Sequence, residues 1–296
     1  MAIDALAWAE RIFLVGPLVA FPLGLLLAQR EAGQGGGALR AAIERLLWPL
    51  WALAALSVLA GFAIGHPEWR FRSTLPYIAL AGLCLAYAAV RFFGRVFGRF
   101  SGPRRFDAAE FAIDYGFGCI AVGTLWLVVY QGNLVFRGFS GLWALLTANH
   151  FHMAGFGLMI LLGAVGRIVA GQGALAAVHR VLVIALVIAL PILALGIDGD
   201  RTLEIIGVTM YITFLAILAM IMLSLAVGRR DLGGPARVLF ALSAGCVTVS
   251  MTLAAVWGLV RPPMVDIATM VVSHGALNAF GFVTLGLLGA LGARAS

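Results

Sequence analysis

The chain has no lysine; all 20 of its basic residues are arginine. Charge of either sign is scarce. Charged residues make up 11% of the 296 positions, against about 25% in soluble domains, and 62% are hydrophobic, against about 45–50%. That scarcity excludes an ordinary water-soluble enzyme and a disordered chain. Cysteine is scarce too. Cys84, Cys119 and Cys246 all fall inside apolar runs without a partner at metal-ligand spacing. This excludes a disulfide-stapled secreted domain, and each cysteine reads as a small packing residue. There is no Walker loop, no GxGxxG dinucleotide unit and no CxxC pair. What the chain has in abundance is apolar length: its mean hydropathy is +1.04. An integral membrane protein is the class that remains.

Nine apolar runs follow one another, at approximately 7–28, 47–65, 75–94, 108–131, 142–170, 181–197, 203–228, 237–260 and 265–292. Each is long enough to span a bilayer except the sixth, which is short and contains Pro191. A backbone in lipid must satisfy its own hydrogen bonds, so these runs are expected to be helices. The expected fold is an all-α polytopic bundle of about nine transmembrane helices, in one domain over 1–296. The first run lacks a basic leader and a small-residue cleavage site, so it reads as a span and not as a cleaved signal. Between the first two runs lie a Gly-rich stretch, Gly33 to Gly37, and an amphipathic segment, 39–46, that is expected on the inner surface.

Arginine sets the orientation. Arg11, Arg70, Arg72, Arg137, Arg201 and Arg261 fall on one side and all the others on the opposite side. The excess predicts the N-terminus outside, the C-terminus inside and a cytoplasmic (inner) membrane location. The net charge of +7 is therefore read as orientation, not as a nucleic-acid footprint. The bilayer is the expected partner, and subunits of a membrane complex remain open.

Ionisable residues inside a span are costly, which makes them functional candidates. The fifth run carries Asn149-His150-Phe151-His152-Met153 and the ninth Ser273-His274-Gly275, with Asn278 one turn on. At 1.5 Å per residue, His150 lies roughly 12 Å and His274 roughly 14 Å from the outer end of its helix. Three histidines thus share one depth, and Thr209 and Tyr211 in the seventh run fall near it as proton or substrate candidates. His150 and His152 differ by about 200° around the helix, so they face opposite sides and cannot share one small metal. That spacing suits a helix wedged between two ligands, or between one ligand and one structural partner. His274 and Asn278 share a face, as do Asn149 and His152. Gly155 and Gly275 leave room for a flat ring or a neighbouring helix. The plain alternative is histidine as hydrogen-bonded glue between helices.

Asn-His-Phe-His-Met-Ala-Gly-Phe at 149–156, His-Gly-x-x-Asn-Ala-x-Gly-Phe at 274–282 and the opening Glu10-Arg11-Ile-Phe-Leu-Val-Gly-Pro17 resemble the YndJ-like family of bacterial membrane proteins. The resemblance covers most of the chain and implies no settled activity. Locally, His-Phe-His also resembles a late helix of haem-copper oxidase subunit I, and His274-Gly275 resembles its early His-Gly pair. That likeness implies haem b with His152 and His274 as the axial pair of one haem, and His150 as ligand of a second. There is no His-His pair for copper and no cross-linkable Tyr near a His, and nine helices replace twelve. Oxygen reduction and proton pumping are therefore not expected.

Other polar positions read as helix ends. Asp107 is a candidate N-cap, with Glu110 and Asp114 after it expected to pair with Arg104 or Arg105. Asp114, one turn deeper, is the best candidate for a proton-carrying carboxylate. His66 and His179 read as solvated, and Asp198, Asp200 and Glu204 as a small acidic patch at a turn and helix start. Trp69, Trp143, Tyr77 and Tyr130 read as an aromatic belt. Three functions stay open: a haem-binding redox, electron-transport or gas-handling protein; a proton- or solute-coupled transporter; and a structural or pigment-binding subunit. Whether the chain is an enzyme is undecided at this level.

Overall fold

The computed structural model describes residues 4–30, 37–64, 66–98, 106–260 and 263–293. Among these, nine helices are long and apolar enough to cross a membrane. They are α1 (Ala5–Gln29), α2 (Gly37–Ile64), α3 (Pro67–Phe97), α4 (Ala108–Gln131), α5 (Gly141–Ile168), α6 (Gly173–Ile197), α7 (Arg201–Gly228), α8 (Gly234–Leu259) and α9 (Ile267–Gly292). The expected all-α fold and the number of spans agree with this. Two boundaries differ. Segment 39–46 is the start of α2, not a separate surface helix, and its Arg40 is buried and bonded to Glu44 at 2.8 Å. Residues 33–36 of the Gly-rich stretch lie outside the described residues. The sixth run is not short: α6 begins at Gly173 and holds Pro191 within 25 residues of helix.

α1, α5 and α9 pack together in the middle, with α2–α4 on one side and α6–α8 on the other. Burial agrees with that order. The most apolar window of α5 is 78% buried, against 28% for α2, so α5 is the axis and α2 faces outward. All three central helices contain π-helical turns: Gly16–Ala20 in α1, Phe151–Gly157 in α5, and Val271–Gly275 with Leu277–Thr284 in α9. A π turn closes i→i+5 bonds, admits an extra residue and recurs at functional sites. Pro17, with no N–H to donate, accounts for the interruption in α1.

Each face of the bundle is tied by ions. On the C-terminal face, Arg91 is 2% exposed. It donates to Asp114 (2.7 Å), Glu110 (2.7 Å) and the Ala28 carbonyl (3.2 Å), and its guanidinium lies over the Tyr87 ring. Arg167 donates to Glu110 (2.6 Å) and the Leu27 carbonyl (2.7 Å), and Arg95 pairs with Asp114. Two arginines from α3 and α5 thus cap the last carbonyls of α1, where cations suit the helix dipole. Glu110 and Asp114 meet these buried partners; Arg104 and Arg105, with which they were expected to pair, lie outside the described residues. Asp107 does cap α4, accepting from the Glu110 N–H.

On the N-terminal face, Glu10 of α1 accepts from Arg70 (3.1 Å) and from the Tyr130 hydroxyl (2.5 Å). Tyr130 and Tyr77 are therefore inward-facing and buried, not part of an aromatic belt, because each hydroxyl bonds a side chain of another helix. Trp69 and Trp143 are exposed, as a belt requires. The acidic patch is also partnered. Asp200 caps α7, Glu204 pairs with Arg201, and Asp198 pairs with Arg137.

Candidate functional site

A cavity of about 440 Å³ lies between the central trio and α6–α8, towards the N-terminal face. Its wall is mostly apolar, with Ile12, Leu146, Met153, Leu215, Met251 and Val271 among the lining residues. Polar side chains enter it from three helices: Asn149 and His150 from α5, Tyr211 from α7, and His274 and Asn278 from α9. At the rim, Arg201 donates to Glu204 (2.7 Å) and to the Gly258 carbonyl (2.7 Å). A tight turn at 136–139, with positive φ at Arg137 and Gly138, brings Phe139 to the same rim. Size and composition match the usual small-molecule pocket, which is concave, largely apolar and holds a few placed polar groups.

The two histidines of α5 face opposite sides, as their spacing predicts, but their roles are exchanged. His152 is 1% exposed and is absent from the cavity wall. Its Nδ1 faces the Ala148 carbonyl (2.8 Å), which can only accept, so Nδ1 carries the hydrogen. Nε2 then accepts from the Tyr77 hydroxyl at 2.8 Å. Phe13 packs edge-on to the ring, 4.8 Å between centroids. A Cβ on Gly123 would lie 2.6 Å from Nδ1, so α4 supplies the one residue type that lets this ring sit there. Both nitrogens are occupied by the protein.

His150 points into the cavity. Its Nδ1 donates to the Leu146 carbonyl (2.9 Å), and no described residue meets Nε2. In the neutral ring that nitrogen is a bare acceptor. Asn149 donates Nδ2 to the Ala9 carbonyl (3.0 Å), which leaves its buried Oδ1 without a partner. The Tyr211 hydroxyl is likewise buried and unpartnered. His274 donates Nδ1 to the Ser250 carbonyl (3.0 Å) and faces Asn278 Nδ2 across 3.2 Å at Nε2. Asn278 Nδ2 also reaches the Ser250 hydroxyl at 2.6 Å.

The expected axial pair of His152 and His274 is therefore corrected. α5 and α9 do pack against each other, but His152 turns towards α1, α3 and α4 while His274 turns towards α8. Those two rings do not fit the two sides of one haem, because neither nitrogen of His152 is free to ligate. The expected Asn149–His152 face is also split: Asn149 lines the cavity and His152 does not. Thr209 is exposed and away from the cavity wall, whereas Tyr211 is part of it. Asp114 belongs to the arginine cluster of the opposite face. Gly155 admits no ring: a Cβ there would meet Cys119 of α4 at 2.7 Å, so it serves helix approach. His179 is buried, not solvated, and bonds the Leu162 carbonyl at 2.8 Å; His66 is exposed. Among the described residues no group of three or more His, Cys, Asp or Glu side chains could hold a metal ion.

Sequence reasoning missed Tyr77 as the partner of His152, Ser250 as the anchor of His274, and the Arg201–Glu204 rim. Tyr77 and Ser250 carry the only available signal: polar side chains in spans at a depth comparable to the histidines.

Residues 11–282 match the family model described as YndJ-like protein. Over 185 residues the chain is 28% identical to the uncharacterized membrane protein YndJ of Bacillus subtilis (strain 168). That alignment covers 61% of this chain and 32% of the relative, so the chain spans about a third of that protein's length. No solved structure matches.

Proposed function

For a chain that belongs to the YndJ-like protein family of membrane proteins, we propose a ligand-binding function: it holds a small, largely apolar molecule in the cavity between α1, α5, α9 and α6–α8. One observation carries this reading. Polar groups within a membrane-spanning bundle are costly unless satisfied, and here Asn149 Oδ1 and Tyr211 Oη, on residues that line a single cavity, are buried without a partner, while the exposed His150 lines the same cavity with no described residue at Nε2. His152, outside the cavity, has both ring nitrogens bonded. The role of His150, His274, Asn149, Asn278 and Tyr211 is to orient the guest, and the apolar wall supplies most of the affinity.

The test is mass spectrometry of the organic extract of purified protein. A molecule enriched with the parent and lost from Ala254→Phe, which fills the cavity from α8, supports the reading. Identical extracts from both overturn it. An absorption spectrum of the same sample reports on haem directly.

The orientation belongs to the same proposal. With most arginines on the C-terminal face, the N-terminal face and the cavity rim point outward. A membrane-impermeant thiol reagent applied from outside should label Val135→Cys and leave Asp231→Cys unlabelled. The opposite pattern reverses the topology.

A further inference from the structure

The polarity of the cavity narrows the chemistry of its guest, given the ligand-binding reading above. The hydrogen positions follow from the carbonyls. Leu146 O takes the His150 hydrogen at Nδ1, so Nε2 presents a lone pair. Ala9 O takes an Asn149 amide hydrogen, so Oδ1 is the free end. Two residues adjacent in sequence thus each hold a free acceptor, and only that of the exposed His150 meets the open cavity. Across the cavity the Tyr211 hydroxyl can give or take a hydrogen bond. The charges that line the cavity, Arg201 and Glu204, are bonded to each other at the rim, 2.7 Å apart. Deeper in, neither a carboxylate awaits a cation nor a guanidinium an anion among the lining residues.

We infer that the guest is a neutral molecule that brings a hydroxyl or N–H donor to His150 Nε2, with the rest of its surface apolar. An ether, a ketone or a hydrocarbon of the same shape would bring no hydrogen to that acceptor. A charged guest would enter without a counter-ion.

The probes are 4-butylphenol, its methyl ether and 4-butylbenzylammonium, with binding read from heat unfolding and from the fluorescence of Trp143 and Trp257, which line the cavity. The phenol should bind the parent at least about tenfold more tightly than the ether, the value of one well-made hydrogen bond. His150→Gln, which retains an acceptor, should keep part of that preference, and His150→Leu should lose most of it. The ammonium should bind no better than the ether. Ala254→Phe should bind none of the three. Phenol and ether binding equally to the parent, yet not to Ala254→Phe, overturns the donor inference and leaves the cavity reading standing. Tighter binding of the ammonium overturns neutrality. No probe distinguishing the parent from Ala254→Phe brings down both.

Discussion

The two ends of this bundle solve the same problem in opposite ways. At the C-terminal face, Arg91, Arg95, Arg167, Glu110 and Asp114 are brought into the bundle together, and they meet one another or the carbonyls that end α1. Nearer the N-terminal face, Asn149, His150 and Tyr211 carry far less charge and are left with spare bonding capacity. The more strongly polar cluster is thus the more self-contained. Burial of polar groups is therefore a poor guide to function on its own. What separates the two regions is whether the protein supplies the last partner. His150 and His152 make the same comparison within one turn of helix.

Each variant below presses on that contrast. Arg91→Ala should have the largest effect. It removes one cationic partner from each of two carboxylates and the cap of the Ala28 carbonyl, and breaking a buried pair costs about 3–5 kcal/mol, so heat unfolding in detergent should show a large loss or little folded protein. The milder Asp114→Asn should lower stability by about 1–3 kcal/mol while butylphenol binding stays at the parental value. A folded Asp114→Asn protein that no longer binds would break the comparison, because the two regions would then be one functional unit.

Next in size is Tyr77→Phe. It removes the partner of His152 Nε2 and should cost about 1–2 kcal/mol without changing probe affinity. His150→Leu should do the reverse, with stability within about 0.5 kcal/mol of the parent and weaker phenol binding. If both variants lose stability equally, the distinction between the two histidines fails.

The smallest effect is expected at Asp266, the exposed cap of α9. The Thr269 amide and hydroxyl hold its carboxyl below the ordinary value. Its contribution is therefore present above the unfolded value and fades as pH falls through the lower folded one. Asp266→Ala should lower the unfolding temperature slightly at neutral pH, and the gap should close on strong acidification.

The fold was legible because a run such as 203–228 has one stable form in lipid, and length then counts the spans. Depth was legible too, since helical rise places His150 and His274 at one level. Facing was not. The π turns from Phe151 alter the angular relation between Asn149 and His152, and hydropathy contains no signal for them. Partners across the bundle were equally out of reach. Tyr77 lies 75 residues from His152, and only the assembled helices bring them together. His179 was misread because the helix was started at 181; once α6 begins at Gly173, the residue sits well inside the helix, against Leu162. Arginine misled for a different reason. Its long side chain let Arg91 be counted as a loop-side charge while its guanidinium points into the bundle.

The widened turns of α1, α5 and α9 make the cavity depend on residue count as well as residue identity. A π segment holds one residue more than the α-helix that would replace it. Removing a single residue from 151–157 or 277–284 would therefore let an α turn replace the widened one, keeping the far half near its present facing but re-aiming the side chains within the turn. In α9 the widened turn includes Phe282, whose carbonyl accepts from the Ser243 hydroxyl. A relative with one residue fewer in these windows would keep its nine spans and its hydropathy profile, yet present a different lining. Among members of this family, a one-residue gap at these positions is thus a more informative difference than many substitutions, because it marks a change in what the interior can hold.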